Sequence, residues 1–302
     1  MKEIECNDFC AFEVESWCDF DDFSLKSPQC VFRGQGNAKW ELVTAYERIQ
    51  RVQNPMREPE MLRKFISQAG IYEKNLPDRY DFVSWLSLMQ HYGAGTRLLD
   101  VTRSKYIALF FALTGMASGR YTECAVWAFE TYSSNRKFYN TLLKSDETGC
   151  VDIRSDPLAT PLIEYNELGW KFANEFIVSD WEGEISGFRI CKFVENFRIE
   201  KFVEKFKTKM ECFYKNGCVI EVVPQISNKR MIAQSAEFLM PVTLRESFMT
   251  NLLKAKDGCS PQVNKLVIPM KFHNEFMMKL KEMNITYQSL FPDLSGLARD
   301  VN

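Results

Sequence analysis

Several charged residues of this chain stand in short blocks where they could bind an anion. Arg33 ends a β-favouring run, His91 ends a helical stretch, and Arg97 stands three residues before Asp100. Guanidinium groups bind phosphates through paired, charge-assisted hydrogen bonds. Each residue also has a structural interpretation. Arg33 could form an ion pair on its strand, and His91 could cap helix carbonyls. Arg97 and Asp100 could form an internal ion pair that fixes a turn.

A second group of polar residues stands in the C-terminal third of the chain. Glu237 lies between Ala236 and Phe238, and Gln234 precedes this apolar run. A carboxylate can stabilise positive charge that develops during a reaction. Glu237 could equally be the outward-facing residue of a strand. Gln234 could line a site, whereas we expect Arg230 to be structural.

The composition limits which other chemistries are expected. The chain has ten cysteines without a Cys-x-x-Cys pair and only two histidines, so no metal site is predicted. The net charge of -2 excludes a general basic field for nucleic-acid binding but leaves room for a local basic groove. The acidic N-terminus lacks the apolar region of a signal peptide, and no apolar run is long enough to span a membrane. These features predict a cytoplasmic protein with reduced thiols and no membrane partner.

The elements that must position these residues mix strands and helices without regular alternation, which predicts an α+β fold. The apolar pattern predicts strands over residues 29–33, 96–100, 124–129, 218–224 and 265–269. It predicts helices over residues 59–68, 81–91, 107–113, 193–206 and 274–283, and no strand is evident before Gln29. Basic and aromatic residues alternate over 192–207, which fits nucleic-acid binding or, as we prefer, an amphipathic helix with a solvated face.

Four blocks of the sequence resemble the FRG domain family. The blocks are Phe32-Arg33-Gly34-Gln35 with Trp40-Glu41-Leu42; Gln90-His91-Tyr92-Gly93 with Thr96-Arg97-Leu98-Leu99-Asp100 and Ala108-Leu109-Phe110-Phe111-Ala112; Arg230 with Gln234 and Phe238; and Ser289-Leu290-Phe291-Pro292-Asp293-Leu294-Ser295-Gly296. The resemblance spans residues 30–300 except for 131–215. The chain departs from the family pattern at Gly95, at Val101 and at Ser235-Ala236.

The order of these motifs also resembles the arginine-serine-glutamate class of ADP-ribosyltransferases. Phe32-Arg33-Gly34 corresponds to the opening strand, Asp100-Val101-Thr102 with residues 108–112 to the second element, and residues 235–241 to the third. This resemblance implies an ADP-ribosyltransferase-like split β-sheet core over residues 31–302. Residues 1–30 would be an N-terminal extension, and residues 131–215 would be a helical insertion.

The resemblance implies roles for individual residues. Arg33 would bind the pyrophosphate of NAD, Thr102 would hold the nicotinamide ribose, and Glu237 would stabilise the oxocarbenium-like ribose. Ser235, two residues before Glu237, would help to select the acceptor. The other residues expected to line the cofactor site are Gly34, Gln35, His91, Tyr92, Arg97, Asp100 and Gln234.

The expected function is therefore transfer of ADP-ribose from NAD to RNA, DNA or protein, without a metal. Relatives of this kind commonly act as intracellular toxins in toxin-antitoxin or anti-phage systems, so a neutralising antitoxin or regulatory protein is an expected partner. Two alternatives stay open. One is a non-catalytic module that binds a nucleotide or nucleic acid through Arg33, His91 and Arg97. The other is an NAD glycohydrolase that uses water as the acceptor.

Overall fold

A computed structural model gives the fold of most of the chain. It describes residues 1–6, 8–25, 27, 29–49, 57–78, 81–116, 121–143, 216–224, 227–254 and 260–301. These residues form a mixed sheet of eight strands surrounded by helices, which confirms the predicted α+β class.

The strands form one hydrogen-bonded sheet. They are β1 (Lys2–Ile4), β2 (Cys10–Glu13), β3 (Cys30–Gln35), β4 (Leu99–Thr102), β5 (Glu123–Glu130), β6 (Val219–Val222), β7 (Ala236–Pro241) and β8 (Gln262–Pro269). Their spatial order is β1-β2-β8-β5-β3-β4-β7-β6. Neighbours are antiparallel except β2 and β8, which run parallel.

The helices of the described residues are mostly short. They are α1 (Trp17–Asp22), α2 (Ala45–Ile49), α3 (Arg57–Ala69), α4 (Phe82–His91), α5 (Lys105–Met116), α6 (Tyr132–Leu143), α7 (Lys229–Ala233), α8 (Phe248–Leu253), α9 (His273–Glu282), α10 (Tyr287–Leu290) and α11 (Leu294–Asp300). Within the described ranges, none of them is long and apolar enough to cross a membrane.

Several predicted elements agree closely with the structure. The helix predicted over residues 81–91 is α4, and the Asp81 side chain caps it by accepting a hydrogen bond from the backbone N–H of Ser84. The apolar run 124–129 is the centre of β5, buried at every position. The strand predicted over residues 96–100 begins later, at Leu99, because side chains rather than a neighbouring strand bind the backbone N–H groups of Arg97 and Leu98.

The prediction of no strand before Gln29 is wrong. Strands β1 and β2 pair with each other, and β2 extends the sheet beside β8. They have only three and four residues, and β1 is fully exposed while β2 buries only Ala11, so they lack the apolar alternation that marks a strand in a sequence. Within the predicted insertion, α6 is helical, while the rest of that segment, including the helix predicted over residues 193–206, lies outside the described residues.

The sheet nearly divides between β3 and β4. In the described structure these two strands share one registered pair, Phe32 with Thr102. By contrast, β3 pairs with β5 over six residues and β4 pairs with β7 over four. The two strands therefore separate directly after Phe32, and a cleft opens at the point of separation.

Gly34 fixes the position of β3 against α5. A Cβ atom at Gly34 would lie 1.9 Å from the carbonyl oxygen of Ala108 and 2.7 Å from the amide nitrogen of Ala112. Both neighbours are backbone atoms of α5 and cannot move aside as a side chain could. Phe32 packs beneath the same helix, in a cluster with Ala108 and Phe110. The tripeptide Phe32-Arg33-Gly34 thus sets the close contact between strand and helix that forms the floor of the cleft.

Candidate functional site

The cleft at the separation of β3 and β4 has a volume of about 430 Å³. Its walls come from β3, α4, β4, α5, α7, β7 and the segment after α10. The lining residues are Phe32, Arg33, Gly34, Ser87, Gln90, His91, Asp100, Val101, Thr102, Phe111, Asn228, Arg230, Met231, Gln234, Ala236, Phe238 and Phe291. Four aromatic rings and two arginines face one space, a combination that suits a planar and anionic ligand.

Arg33 bridges the gap between the separating strands. Its Nη1 atom donates a hydrogen bond of 2.6 Å to the backbone carbonyl of Asp100, so a side chain replaces the strand pairing that ends at Phe32. Its side chain is 17% exposed, and burial lowers the pKa of its guanidinium. The buried Nε atom has no hydrogen-bond partner among the described residues. Arg33 is therefore a largely buried cation whose Nε–H group can still donate a hydrogen bond.

Asp100 is held in the cleft by a directed chain of hydrogen bonds. The backbone N–H of Leu98 donates to Thr96 Oγ1 over 3.3 Å, and the Thr96 hydroxyl donates to Gln90 Oε1. The Nε2 atom of Gln90 then donates to Asp100 Oδ1 over 2.8 Å. The other carboxylate oxygen lies 3.9 Å from Arg33 Nη1, and the Asp100 side chain is 65% exposed.

The far wall of the cleft joins the third and fourth sequence blocks. Arg230 lies with its guanidinium carbon 4.7 Å from the centre of the Phe291 ring and its Nη2 atom 3.5 Å from Asp293 Oδ2. Gln234 donates a hydrogen bond of 3.1 Å to the backbone carbonyl of Leu290. The prediction that Arg230 is structural is thus incomplete, because Arg230 also lines the cleft.

Thr102 connects three elements around the cleft. Its hydroxyl donates to the backbone carbonyl of Gln234 over 2.7 Å and accepts from the backbone N–H of Ser104 over 3.1 Å. These bonds fix the turn before β7 and the start of α5. Thr102 lines the cleft, but its hydroxyl is already engaged with backbone groups.

Glu237 lies on the opposite side of β7 from the cleft. Its neighbours Ala236 and Phe238 line the cleft, and alternation along a strand turns Glu237 away. Arg103 binds two carboxylates there, with Nε 2.5 Å from Glu237 Oε1 and Nη2 2.5 Å from Glu221 Oε1. Burial and the nearby Glu221 carboxylate raise the pKa of Glu237 to about 8, although Arg103 opposes this shift. This group is a buried, internally paired cluster.

Two other expected site residues are also paired inside the protein. The Arg97 side chain is fully buried, with Nε 2.5 Å from Glu58 Oε2, while its backbone N–H donates to Glu58 Oε1. Its ion-pair partner is therefore Glu58 on α3, not Asp100. Gln35 accepts a hydrogen bond from Trp127 Nε1 over 2.7 Å and donates to a backbone carbonyl. Neither residue lines the cleft.

His91 and Tyr92 stand at the rim. The His91 ring lines the cleft and packs edge-on against the Tyr92 ring at 5.1 Å between centroids. Tyr92 is 63% exposed and does not itself line the cleft. In all, the structure brings Arg33, Gly34, His91, Asp100, Thr102 and Gln234 together at one cleft.

Sequence reasoning passed over Gln90, Asn228, Arg230 and Phe291 as functional residues. A helical signal could have found Gln90, because Ser87, Gln90 and His91 recur at the spacing of one helix face. No sequence pattern indicates that Phe291 approaches α5, since the two are distant in the chain. Among the residues that the structure describes, no group of three or more His, Cys, Asp or Glu side chains is arranged to hold a metal ion.

Comparison with known proteins supports the first part of the resemblance. The family model of the FRG domain matches residues 28–120. This range contains the first two sequence blocks and hence β3, α4, β4 and α5; the third and fourth blocks lie beyond it. No curated protein and no solved structure matches the chain. The chain thus carries the sequence features of the FRG domain over residues 28–120.

Proposed function

We propose that the cleft binds NAD and that the protein transfers ADP-ribose to a macromolecule. The acceptor is RNA, DNA or protein, and the protein acts as an intracellular toxin or anti-phage effector with a neutralising partner. The observation that carries the proposal is the meeting of three motifs at one cleft. Strands β3, β4 and β7 bear the three motifs in chain order and are neighbours in the sheet.

The near division of the sheet supports this proposal. A split-sheet core of the ADP-ribosyltransferase type requires two strand groups that separate and leave a ligand site between them. Here β3 and β4 share one pair, Phe32 with Thr102, and then part beside Arg33. The helix that follows β4 packs against β3 through Gly34, as expected when the second motif leads into a helix.

The lining of the cleft supports a nucleotide as the ligand. Arg33 and Arg230 are cations that can bind phosphate oxygens. Phe32, Phe111 and Phe291 offer apolar surface for a base or nicotinamide ring. The volume of about 430 Å³ lies in the ordinary range for small-molecule sites.

A second candidate function is favoured by the orientation of Glu237. Because this side chain faces Arg103 on the other side of β7, it does not reach the cleft in this structure. A nucleotide-binding module without catalysis needs no carboxylate there. The catalytic role of Glu237 stays a prediction, and it requires the side chain to leave Arg103.

Labelled NAD distinguishes these functions. Purified protein is incubated with adenylate-labelled NAD and whole-cell extract, with nuclease-treated and protease-treated aliquots in parallel. We expect label in a macromolecule, and the treatment that removes it identifies the acceptor class. Arg33→Met should abolish labelling, whereas Lys279→Met, which removes the positive charge of an exposed side chain on α9, should not.

Other outcomes would replace the proposal. Free ADP-ribose without labelled macromolecule would identify a glycohydrolase. Saturable NAD binding with the NAD left intact in every extract would favour the binding module.

A further inference from the structure

One carboxylate faces the cleft among the residues that the structure describes, and it belongs to Asp100. Its side chain is 65% exposed, in contrast to Glu237, which is 13% exposed and binds Arg103. Among the described residues, Asp100 is therefore the carboxylate placed to act on a ligand in the cleft, unless Glu237 changes sides.

The hydrogen-bond chain behind Asp100 fixes its role as an acceptor. A backbone N–H can only donate, so the N–H of Leu98 makes Thr96 Oγ1 an acceptor and directs the hydroxyl proton toward Gln90. The carbonyl end of the Gln90 amide then faces Thr96, and its NH₂ group faces Asp100. Thr96 is fully buried, so solvent does not compete at that end of the chain, whereas the bond between Gln90 and Asp100 is exposed. The arrangement holds the Asp100 side chain in one orientation.

Arg33 leaves the same carboxylate available to a ligand. The shorter bond of Arg33 goes to the backbone carbonyl of Asp100 at 2.6 Å, and its distance to the carboxylate is 3.9 Å. One carboxylate oxygen is thus bound by Gln90, and the other has room for a further donor. A cation and an available carboxylate on adjacent strands match a ligand that carries both phosphate and hydroxyl groups.

We propose that Asp100 contacts the nicotinamide ribose of bound NAD and offsets the positive charge of that ribose during the reaction; this inference rests on the proposed function. The bond between C1′ and the nicotinamide nitrogen breaks, and its electron pair leaves with nicotinamide. The acceptor oxygen or nitrogen forms the new bond to C1′ and releases its proton to solvent. The carboxylate accepts a hydrogen bond from a ribose hydroxyl and lies beside the cationic ring. Gln90 is a positioning residue.

Two substitutions at Asp100 test this assignment. Nicotinamide release and NAD affinity are measured for the wild type, Asp100→Asn and Asp100→Ala, with the exposed α1 substitution Asp22→Asn as a matched control. Asp100→Asn retains an acceptor, so NAD affinity should change less than about fivefold while release slows about 100-fold or more. Asp100→Ala should also weaken NAD binding about tenfold. Gln90→Leu should slow release while leaving the fold intact.

The outcomes separate this inference from the function on which it rests. Release by Asp100→Asn at the wild-type rate would overturn the assignment and leave the transferase intact. Loss of release in Glu237→Gln but not in Asp100→Asn would return the role to Glu237. If the wild type binds NAD without releasing nicotinamide, the proposed transferase activity is wrong. If NAD affinity is then also unchanged in Asp100→Ala, the proposed contact between Asp100 and the ribose is wrong as well. A wild type that binds no NAD would overturn both.

Discussion

Two groups of charged residues around β4 and β7 are bound in opposite ways. In the first group, Arg33, Asp100 and Arg230 border a cleft and keep donors or acceptors available. In the second, Arg103 is bound by Glu237 and Glu221 away from the cleft. Charge alone therefore does not identify a binding site. What marks it is a charge that borders the cleft and keeps a donor or acceptor within reach of a ligand.

The same contrast holds between two arginines of the FRG match. Arg97 is fully buried against Glu58, whereas Arg33 bridges two separating strands at the edge of the cleft. Both residues stand in characteristic blocks of the sequence. One fixes the fold, and we propose that the other holds a ligand.

The largest expected effect comes from a substitution at the close contact between β3 and α5. Gly34→Val places a side chain into the backbone of α5, where a Cβ would lie 1.9 Å from the Ala108 carbonyl oxygen. We expect a loss of at least about 3 kcal/mol of unfolding free energy, or failure to fold, because neither backbone can give way. Chemical denaturation measures it. Gly70→Ala, where the nearest atom would be 3.9 Å away, is the control and should change stability by less than about 1 kcal/mol. A Gly34→Val protein of wild-type stability would contradict this packing.

The next effect separates the two arginines. Arg97→Met leaves the Glu58 carboxylate buried without its guanidinium, and we expect a loss of about 3–5 kcal/mol of unfolding free energy. Denaturant unfolding of the single variant is compared with Glu58→Met/Arg97→Met, which should recover part of the loss because no unpaired charge stays buried. NAD affinity, measured where the variant is folded, should be unchanged. A folded Arg97→Met protein that no longer binds NAD would place Arg97 among the ligand contacts.

The buried carboxylate pair predicts a pH dependence of stability. The pKa of Glu237 is about 8 in the folded protein and near the ordinary value of about 4.3 in the unfolded chain. Between these values the folded state binds more protons than the unfolded state, so this group lowers stability as pH rises. Glu237→Gln should remove that fall. Relative to the wild type, the unfolding free energy of the variant should therefore increase by about 1–3 kcal/mol as pH rises from 5 to 8. Denaturation at several pH values checks it; parallel profiles would show that Glu237 is not desolvated.

The smallest effect concerns the far wall of the cleft. Arg230 is 41% exposed and rests on Phe291, so Arg230→Met should weaken NAD binding only about 3- to 10-fold and leave stability within about 0.5 kcal/mol. Calorimetric titration and thermal unfolding measure the two effects. Lys279→Met serves as the charge-matched control. An Arg230→Met protein with unchanged affinity would restrict the ligand to the wall formed by β3 and β4.

Local pattern was enough to predict much of this fold. The apolar run over residues 124–129 predicted β5, and the apolar spacing with Asp81 predicted α4. Both signals depend only on residues that are close together in the sequence. Strands β1 and β2 escaped prediction because they are too short to show an apolar pattern, and β2 is held in the sheet by pairing with β8, which is distant in the sequence.

The site was predictable in part. Blocks of sequence indicated Arg33, Asp100 and Gln234 but not how they meet, since the cleft arises from the separation of β3 and β4 after one pair. The side on which Glu237 lies depends on the register of β7, where a shift of one residue would reverse it.

NAD binding by Arg33→Met is the most direct test of the central claim that this cleft is the nucleotide site. Calorimetric titration of wild-type protein should give one saturable site, with the same affinity in Lys279→Met. Arg33→Met should bind at least about tenfold more weakly, because it removes a charged hydrogen-bond donor worth about 1.5–3 kcal/mol. Its stability should stay within about 1 kcal/mol of the wild type, since burial of that cation is itself unfavourable. Equal NAD affinity in a folded Arg33→Met protein, or no binding by the wild type, would contradict the account.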